Sequence, residues 1–203
     1  MEATRSVTVN IDKTVPVTVA NGTPAANAAG WNASNVTVTL NSTDTGGSGL
    51  QGIRYWTNGN LGTAVLAPAS SATVVLTAEG ATTLNYAAVD TAGNVESIKS
   101  LTFIIDKTAP VISGMPAPGC TISPANNKLV QVATITASDS LSGLLSLNVA
   151  ASSNPQASQG DIVISGGTVQ LRAVRGRIYT IAATASDIAG NTGTATATCT
   201  VSK

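Results

Sequence analysis

Ser6-Val-Thr-Val-Asn-Ile-Asp-Lys-Thr-Val-Pro16 returns later in the chain as Ser100-Leu-Thr-Phe-Ile-Ile-Asp-Lys-Thr-Ala-Pro110. Taken on Asp12 and Asp106, the two copies lie 94 residues apart. Two further blocks repeat in the same order. Leu40-Asn-Ser-Thr-Asp44 with Ser48-Gly-Leu50 matches Ile135-Thr-Ala-Ser-Asp139 with Ser142-Gly-Leu144, and Asp90-Thr-Ala-Gly-Asn94 matches Asp187-Ile-Ala-Gly-Asn191. A period of about 95 residues is too long for a solenoid unit of ~20–50 residues and suits one β-sandwich domain of ~100.

Working outward from these blocks, the runs between them alternate with period two. Val36, Val38 and Leu40 share one face, with Thr37 and Thr39 on the other. Ala133, Ile135 and Ala137 form a second such set, and Tyr179, Ile181, Ala183 and Ala185 a third. The final run sets Ala195, Ala197, Cys199 and Val201 against Thr194, Thr196, Thr198 and Thr200. Period two places one face in a core and one in water, which is a strand in an antiparallel sandwich. Turn-forming clusters at 21–35, 45–49, 57–63, 113–127 and 151–167 separate the runs. The expected class is all-β, two tandem sandwiches of about seven strands each. The expected boundaries are 12–106 and 107–203, with residues 1–11 as the final strand of a preceding module, free to fray or to pair with an edge of another copy. Only Lys107-Thr-Ala-Pro110 joins the modules, and a short proline-bearing link predicts a stiff junction.

Composition removes several functions. Ten acidic and ten basic residues balance, so no basic excess exists to neutralise phosphates, and nucleic acid is not an expected partner. No run of 18 apolar residues occurs, so no membrane insertion is expected. The first residues lack the apolar core of a signal peptide, so export would be encoded upstream. The chain contains no histidine, the commonest general base and transition-metal ligand. Its many serines therefore lack the usual activating partner, no Ser–Lys motif stands out, and no enzyme activity is expected.

The combination of Gly30-Trp-Asn, Val36-Thr-Val-Thr-Leu, Asp44 with Ser48-Gly-Leu50, Tyr86-Ala-Ala-Val-Asp-Thr-Ala-Gly-Asn94 and Ile105-Asp-Lys-Thr-Ala-Pro110 resembles the bacterial immunoglobulin-like repeats of large surface and secreted proteins. Arg177-Ile-Tyr-Thr-Ile and Asp187-Ile-Ala-Gly-Asn191 in the second unit are similar to the hyaline-repeat group. The resemblance implies tandem immunoglobulin-like sandwiches at the cell surface or outside the cell. It implies a spacer role beside neighbouring domains of one polypeptide, presenting them or supporting adhesion. In such a sandwich the first and last strands run to the same end, so Cys120 and Cys199 are expected to form a disulfide. The bond would close a loop of about 80 residues and stabilise by up to ~4 kcal/mol.

Three groups of side chains are candidate sites. Asp12, Asp44 and Asp90 in the first module, and Asp106, Asp139 and Asp187 in the second, are expected to meet at the pole where the chain comes in. There they would serve as turn caps or as calcium ligands, since three clustered carboxylates need a cation or several N–H groups to answer them. No cofactor is required by any other feature. Trp31, Tyr55 and Trp56 are either core anchors or, for the Tyr55/Trp56 pair, an exposed platform for an extracellular polysaccharide or surface ligand. Arg172, Arg175 and Arg177 flank Gly176 and read as a solvated edge, the alternative being an anionic polysaccharide contact.

Overall fold

The alternating runs become strands wherever their apolar face finds a facing sheet. The computed structural model describes residues 3–202, so Met1 and Glu2 of the expected leading strand lie outside it. The chain divides into two units between Ile105 and Asp106.

In module 1 the strands are β1 (Val17–Thr23), β2 (Trp31–Asn32), β3 (Val36–Thr43), β4 (Leu50–Thr57), β5 (Val65–Ala67), β6 (Ser71–Leu76), β7 (Gly80–Asp90) and β8 (Lys99–Ile105). One sheet has the order β1-β3-β6 and the other β2-β8-β7-β4-β5. In the first sheet Leu40 sits between Ala20 on β1 and Ala72 on β6. Val36, Val38, Leu40, Ile53, Leu84 and Ile105 are fully buried between the sheets. Each such side chain contributes about 1.5–3 kcal/mol by leaving water.

In module 2 the strands are β9 (Val111–Ser113), β10 (Cys120–Ile122), β11 (Leu129–Thr134), β12 (Thr136–Ser138), β13 (Leu144–Asn154), β14 (Ile162–Ser165), β15 (Thr168–Arg172), β16 (Ile178–Asp187) and β17 (Thr192–Val201). One layer is β10-β17-β16-β13; the other combines β11-β15-β14 with β12-β9. β11 and β12 are one alternating run broken at Ile135, whose N–H donates to the Gly167 carbonyl. A Cβ on Gly167 would collide with the Ile135 carbonyl, so a glycine is needed for this close approach. Tyr179, Ile181, Ala185, Val169 and Leu171 are fully buried.

Both modules are immunoglobulin-like sandwiches. Each exceeds seven strands because its first run divides between the layers, and module 2 gains a further strand from the break between β11 and β12. β1 pairs antiparallel with β3, and β2 then crosses to lie parallel to β8. β9 pairs antiparallel with β12, and β10 lies parallel to β17.

Candidate functional site

Each module carries a carboxylate triad at the pole where its chain comes in. Asp90 ends β7 and Asp187 ends β16, each on the inward-facing parity of its strand, and both are buried. Asp44 and Asp139 follow β3 and β12 by one residue and are half-buried. Asp12 and Asp106 come in from the preceding segment. In each triad one carboxylate oxygen from every member lies within 4.8 Å of the others.

Hydrogen bonds answer much of the charge, and the two modules use nearly the same ones. Thr14 N donates to Asp12 Oδ1 at 2.9 Å and Ser48 N to Asp12 Oδ2 at 2.9 Å. Thr108 N and Ser142 N make the same bonds to Asp106, each at 3.0 Å. Asn94 N and Nδ2 both donate to Asp90 at 2.7 Å, and Asn94 Nδ2 also reaches the Asp12 carbonyl at 3.1 Å. Asn191 does all of this for Asp187 and the Asp106 carbonyl. The asparagine of the Asp-x-Ala-Gly-Asn motif thus ties the incoming chain to the end of the penultimate strand. Asp139 accepts from Leu141 N and Gly143 N, whereas among the described residues Asp44 accepts from Gly46 N alone and its buried Oδ2 has no hydrogen-bond partner.

These bonds shift the acids. The Ser48 hydroxyl, then the Thr14 and Ser48 amides, lower the Asp12 pKa below 3.8. Burial works against ionisation of Asp106, but Ser142 and Thr108 outweigh it. Burial and the neighbouring Asp12 charge both oppose Asp90, yet Asn94 and Gly93 bring its pKa below the ordinary value. Oxygen-only donors, several with a lone pair still free, fit a hard cation such as calcium.

Cys120 and Cys199 are bonded, with Cα atoms 4.6 Å apart. They face each other in the parallel β10–β17 ladder, so the bond fastens neighbouring strands within one layer.

The aromatic pair does not form an exposed platform. Trp56 is buried, with 7% of its surface accessible, and Tyr55 packs against the module 1 core. The two rings lie on opposite faces of β4, Trp56 buried and Tyr55 half-buried, although Arg54 between Ile53 and Tyr55 is exposed. Trp31 is half-buried on β2, next to Ile104.

Arg172 and Arg177 depart from the expected solvated edge, while Arg175 is exposed. Arg177 is buried and donates through Nη1 to Asp161 Oδ2 and to the Tyr179 hydroxyl. Arg172 donates through Nε to Asp161 Oδ1 at 2.7 Å and through Nη1 to the Asn127 carbonyl at 2.9 Å. Tyr179 Oη donates to the Arg172 carbonyl at 2.7 Å, bonding the start of β16 back to the end of β15 as a tyrosine corner does. Asp161 is held ionised first by Arg177, then by the Ser158 amide, against burial. Asp161 appeared in no sequence motif, and only its isolation in an otherwise uncharged run from Ser140 to Leu171 marks it.

A second network was equally unmarked. Glu96, buried, accepts from Thr18 N at 2.9 Å, Thr18 Oγ1 at 2.7 Å and Ala88 N at 3.1 Å, and pairs with Lys99 at 2.6 Å. It ties β1 of one layer to β7 of the other. Burial opposes its charge, and Lys99 and Thr18 outweigh burial to lower its pKa.

No family model matches the chain, and no curated protein matches it. Among solved structures it is similar to fibronectin(III)-like modules of Clostridium thermocellum CbhA, at 15% identity over 91% of this chain and 94% of that one, with a TM-score of 0.39. It is also similar to protocadherin gamma B2 extracellular cadherin domains 3–6, at 16% identity, 96% and 52% coverage and a TM-score of 0.41. The protocadherin gammaB4 extracellular domain gives 13% identity, 96% and 34% coverage and 0.46. The chain spans about half and about a third of these two protocadherin chains. At TM-scores below 0.5 the likenesses are distant, and the immunoglobulin-like architecture stands on the strand pairing itself.

Proposed function

We propose that the chain is a non-catalytic structural pair of modules from a secreted or cell-surface protein, a spacer that presents neighbouring domains or supports adhesion. The observation that carries this reading is how the polar side chains are spent. At both poles Asp12 or Asp106, with Asn94 or Asn191, fastens the incoming chain to its module. Glu96 and the Asp161–Arg177–Arg172 cluster fasten strands and loops in the same way. The disulfide fits an oxidising compartment outside the cytosol. A glycan array with the intact chain tests the reading: a spacer gives no hits, and a saturable, sugar-specific signal overturns it.

One observation adds calcium to the proposal. The buried, unpartnered Oδ2 of Asp44 belongs to a triad whose other members also keep free lone pairs. Asp12, Asp44 and Asp90 would hold the ion in module 1, and Asp106, Asp139 and Asp187 in module 2. Calcium supplies a positive charge that the N–H groups meet only in part. Calorimetric titration, with melting in calcium and in chelator, tests this. Binding heat with a raised melting temperature supports it; neither change leaves the aspartates as turn caps.

A further inference from the structure

Asp12 and Asp106 are fastened by matching backbone and asparagine bonds, but the residues before them differ. Ahead of Asp106 runs β8, antiparallel to β7 with Phe103 opposite Thr82, and parallel to β2 with Ile104 opposite Trp31. Its inward side chains are Ile105, fully buried, and Phe103, packed against the core. Ahead of Asp12 runs Ser6-Val-Thr-Val-Asn-Ile11, which the repeat aligns with Ser100–Ile105. This segment has no strand pairing, and Val7, Val9 and Ile11 are 86%, 73% and 75% exposed. Three apolar side chains on one parity, separated by Thr8 and Asn10, form a strand pattern without a sheet. Leaving them in water forgoes the stabilisation that burying apolar surface provides.

We propose that residues 6–11 are the closing strand of a further sandwich of this same repeat. In the register of β8, Ile11 takes the place of Ile105, Val9 of Phe103 and Val7 of Leu101. The segment lies antiparallel to the penultimate strand of that sandwich, with Val9 and Ile11 in its core. The partner is thus defined chemically: a β-sandwich whose last strand position is vacant and whose penultimate strand offers a free ladder edge beside an apolar core. The observations favour this over pairing with a second copy, because module 1 of a second copy already fills that position with its own β8. The inference does not depend on the spacer reading or on calcium.

The test uses the full chain extended at its N-terminus. Residues 12–99 are placed directly ahead of Ser6, so that residues 6–11 supply the only closing strand of the added unit. A control extension keeps the sequence Ser100–Ile105 at that place and defines the behaviour of a correctly closed unit. Hydrogen exchange read by NMR should show the amides of Val7, Val9 and Ile11 slowed at least 100-fold relative to the unextended chain. V9D/I11D should abolish that protection while leaving β8 protected. Exchange-exposed amides at residues 6–11, beside a protected closing strand in the control, overturn the proposal. Concentration-dependent protection in the unextended chain also overturns it, in favour of a second copy.

Discussion

Glu96 in module 1 and Gly193 in module 2 hold the same place in the repeat, two residues beyond Asn94 and Asn191. The first reaches across the sandwich to Thr18. The second carries no side chain, and a Cβ there would strike the Pro110 carbonyl, so β17 and the start of module 2 come together backbone to backbone. At the start of the penultimate strand the contrast reverses. Tyr179 with Arg177 and Asp161 closes that end of module 2, where module 1 has Thr82. Only module 2 has a disulfide. The carboxylate pole is common to both, while the fastening elsewhere is particular to each module. The repeat therefore preserves how the chain is led into a sandwich, and leaves open how the sandwich is held shut.

The largest expected break in this comparison is the disulfide. C120A/C199A should cost module 2 about 4 kcal/mol, since the bond spans 79 residues. Trp31 and Trp56 both lie in module 1, so tryptophan fluorescence reads that module alone and its denaturation midpoint should stay put. Amide signals from β16 and β17 should vanish at lower denaturant. Equal shifts in both readouts would mean the modules do not unfold separately.

Glu96→Ala is the mirror experiment. It leaves the Thr18 and Ala88 amides without their acceptor in a buried place. Each orphaned donor costs about 1–3 kcal/mol, so module 1 should lose about 3 kcal/mol while module 2 is unmoved. A loss under 1 kcal/mol would show that water replaces the carboxylate.

These two staples also mark where the sequence was and was not legible. The fold could be read because it rests on period-two alternation, and Val36, Val38, Leu40, Tyr179 and Ile181 face inward as their parity requires. The aspartate triads could be read because parity and the repeat together place strand ends at one pole. Glu96 and Asp161 could not, because their partners lie 78 and 16 residues away and nothing local distinguishes them from solvated acids. Two of the arginines misled for the same reason: Arg172 and Arg177 read as part of a wet edge until Asp161 is brought against them. Tyr55 and Trp56 misled because neighbouring strand residues face opposite ways, which leaves one ring exposed only if nothing covers the outer face of β4.

A smaller effect is expected from Tyr179→Phe. It removes the bond to the Arg172 carbonyl and one contact of Arg177 but keeps the buried ring. The loss should be about 1–2 kcal/mol, confined to module 2. Module 1 supplies the comparison, since it closes the same end without such a bond. A midpoint unchanged within error would mean that ring packing alone holds the corner.

The smallest effect separates the modules by their response to acid. A carboxyl whose folded pKa lies below its unfolded value stabilises above the unfolded pKa, and that contribution is lost as pH falls through the folded one. Asp12, Asp90 and Glu96 are lowered in module 1, and Asp106 and Asp161 in module 2. From about pH 5 downward the unfolded chain binds protons first, so both modules weaken. Module 1 carries one more carboxyl with a lowered pKa than module 2, so it should weaken more steeply. The tryptophan-reported midpoint should therefore fall more steeply between pH 5 and pH 3 than the amide-reported midpoint of module 2. Glu96→Gln removes one of the three module 1 groups and should bring the two slopes together, at the cost of a lower midpoint at neutral pH. Slopes that are already parallel in the unmodified chain, or that diverge further with Glu96→Gln, would show that the acid response comes from the shared poles alone.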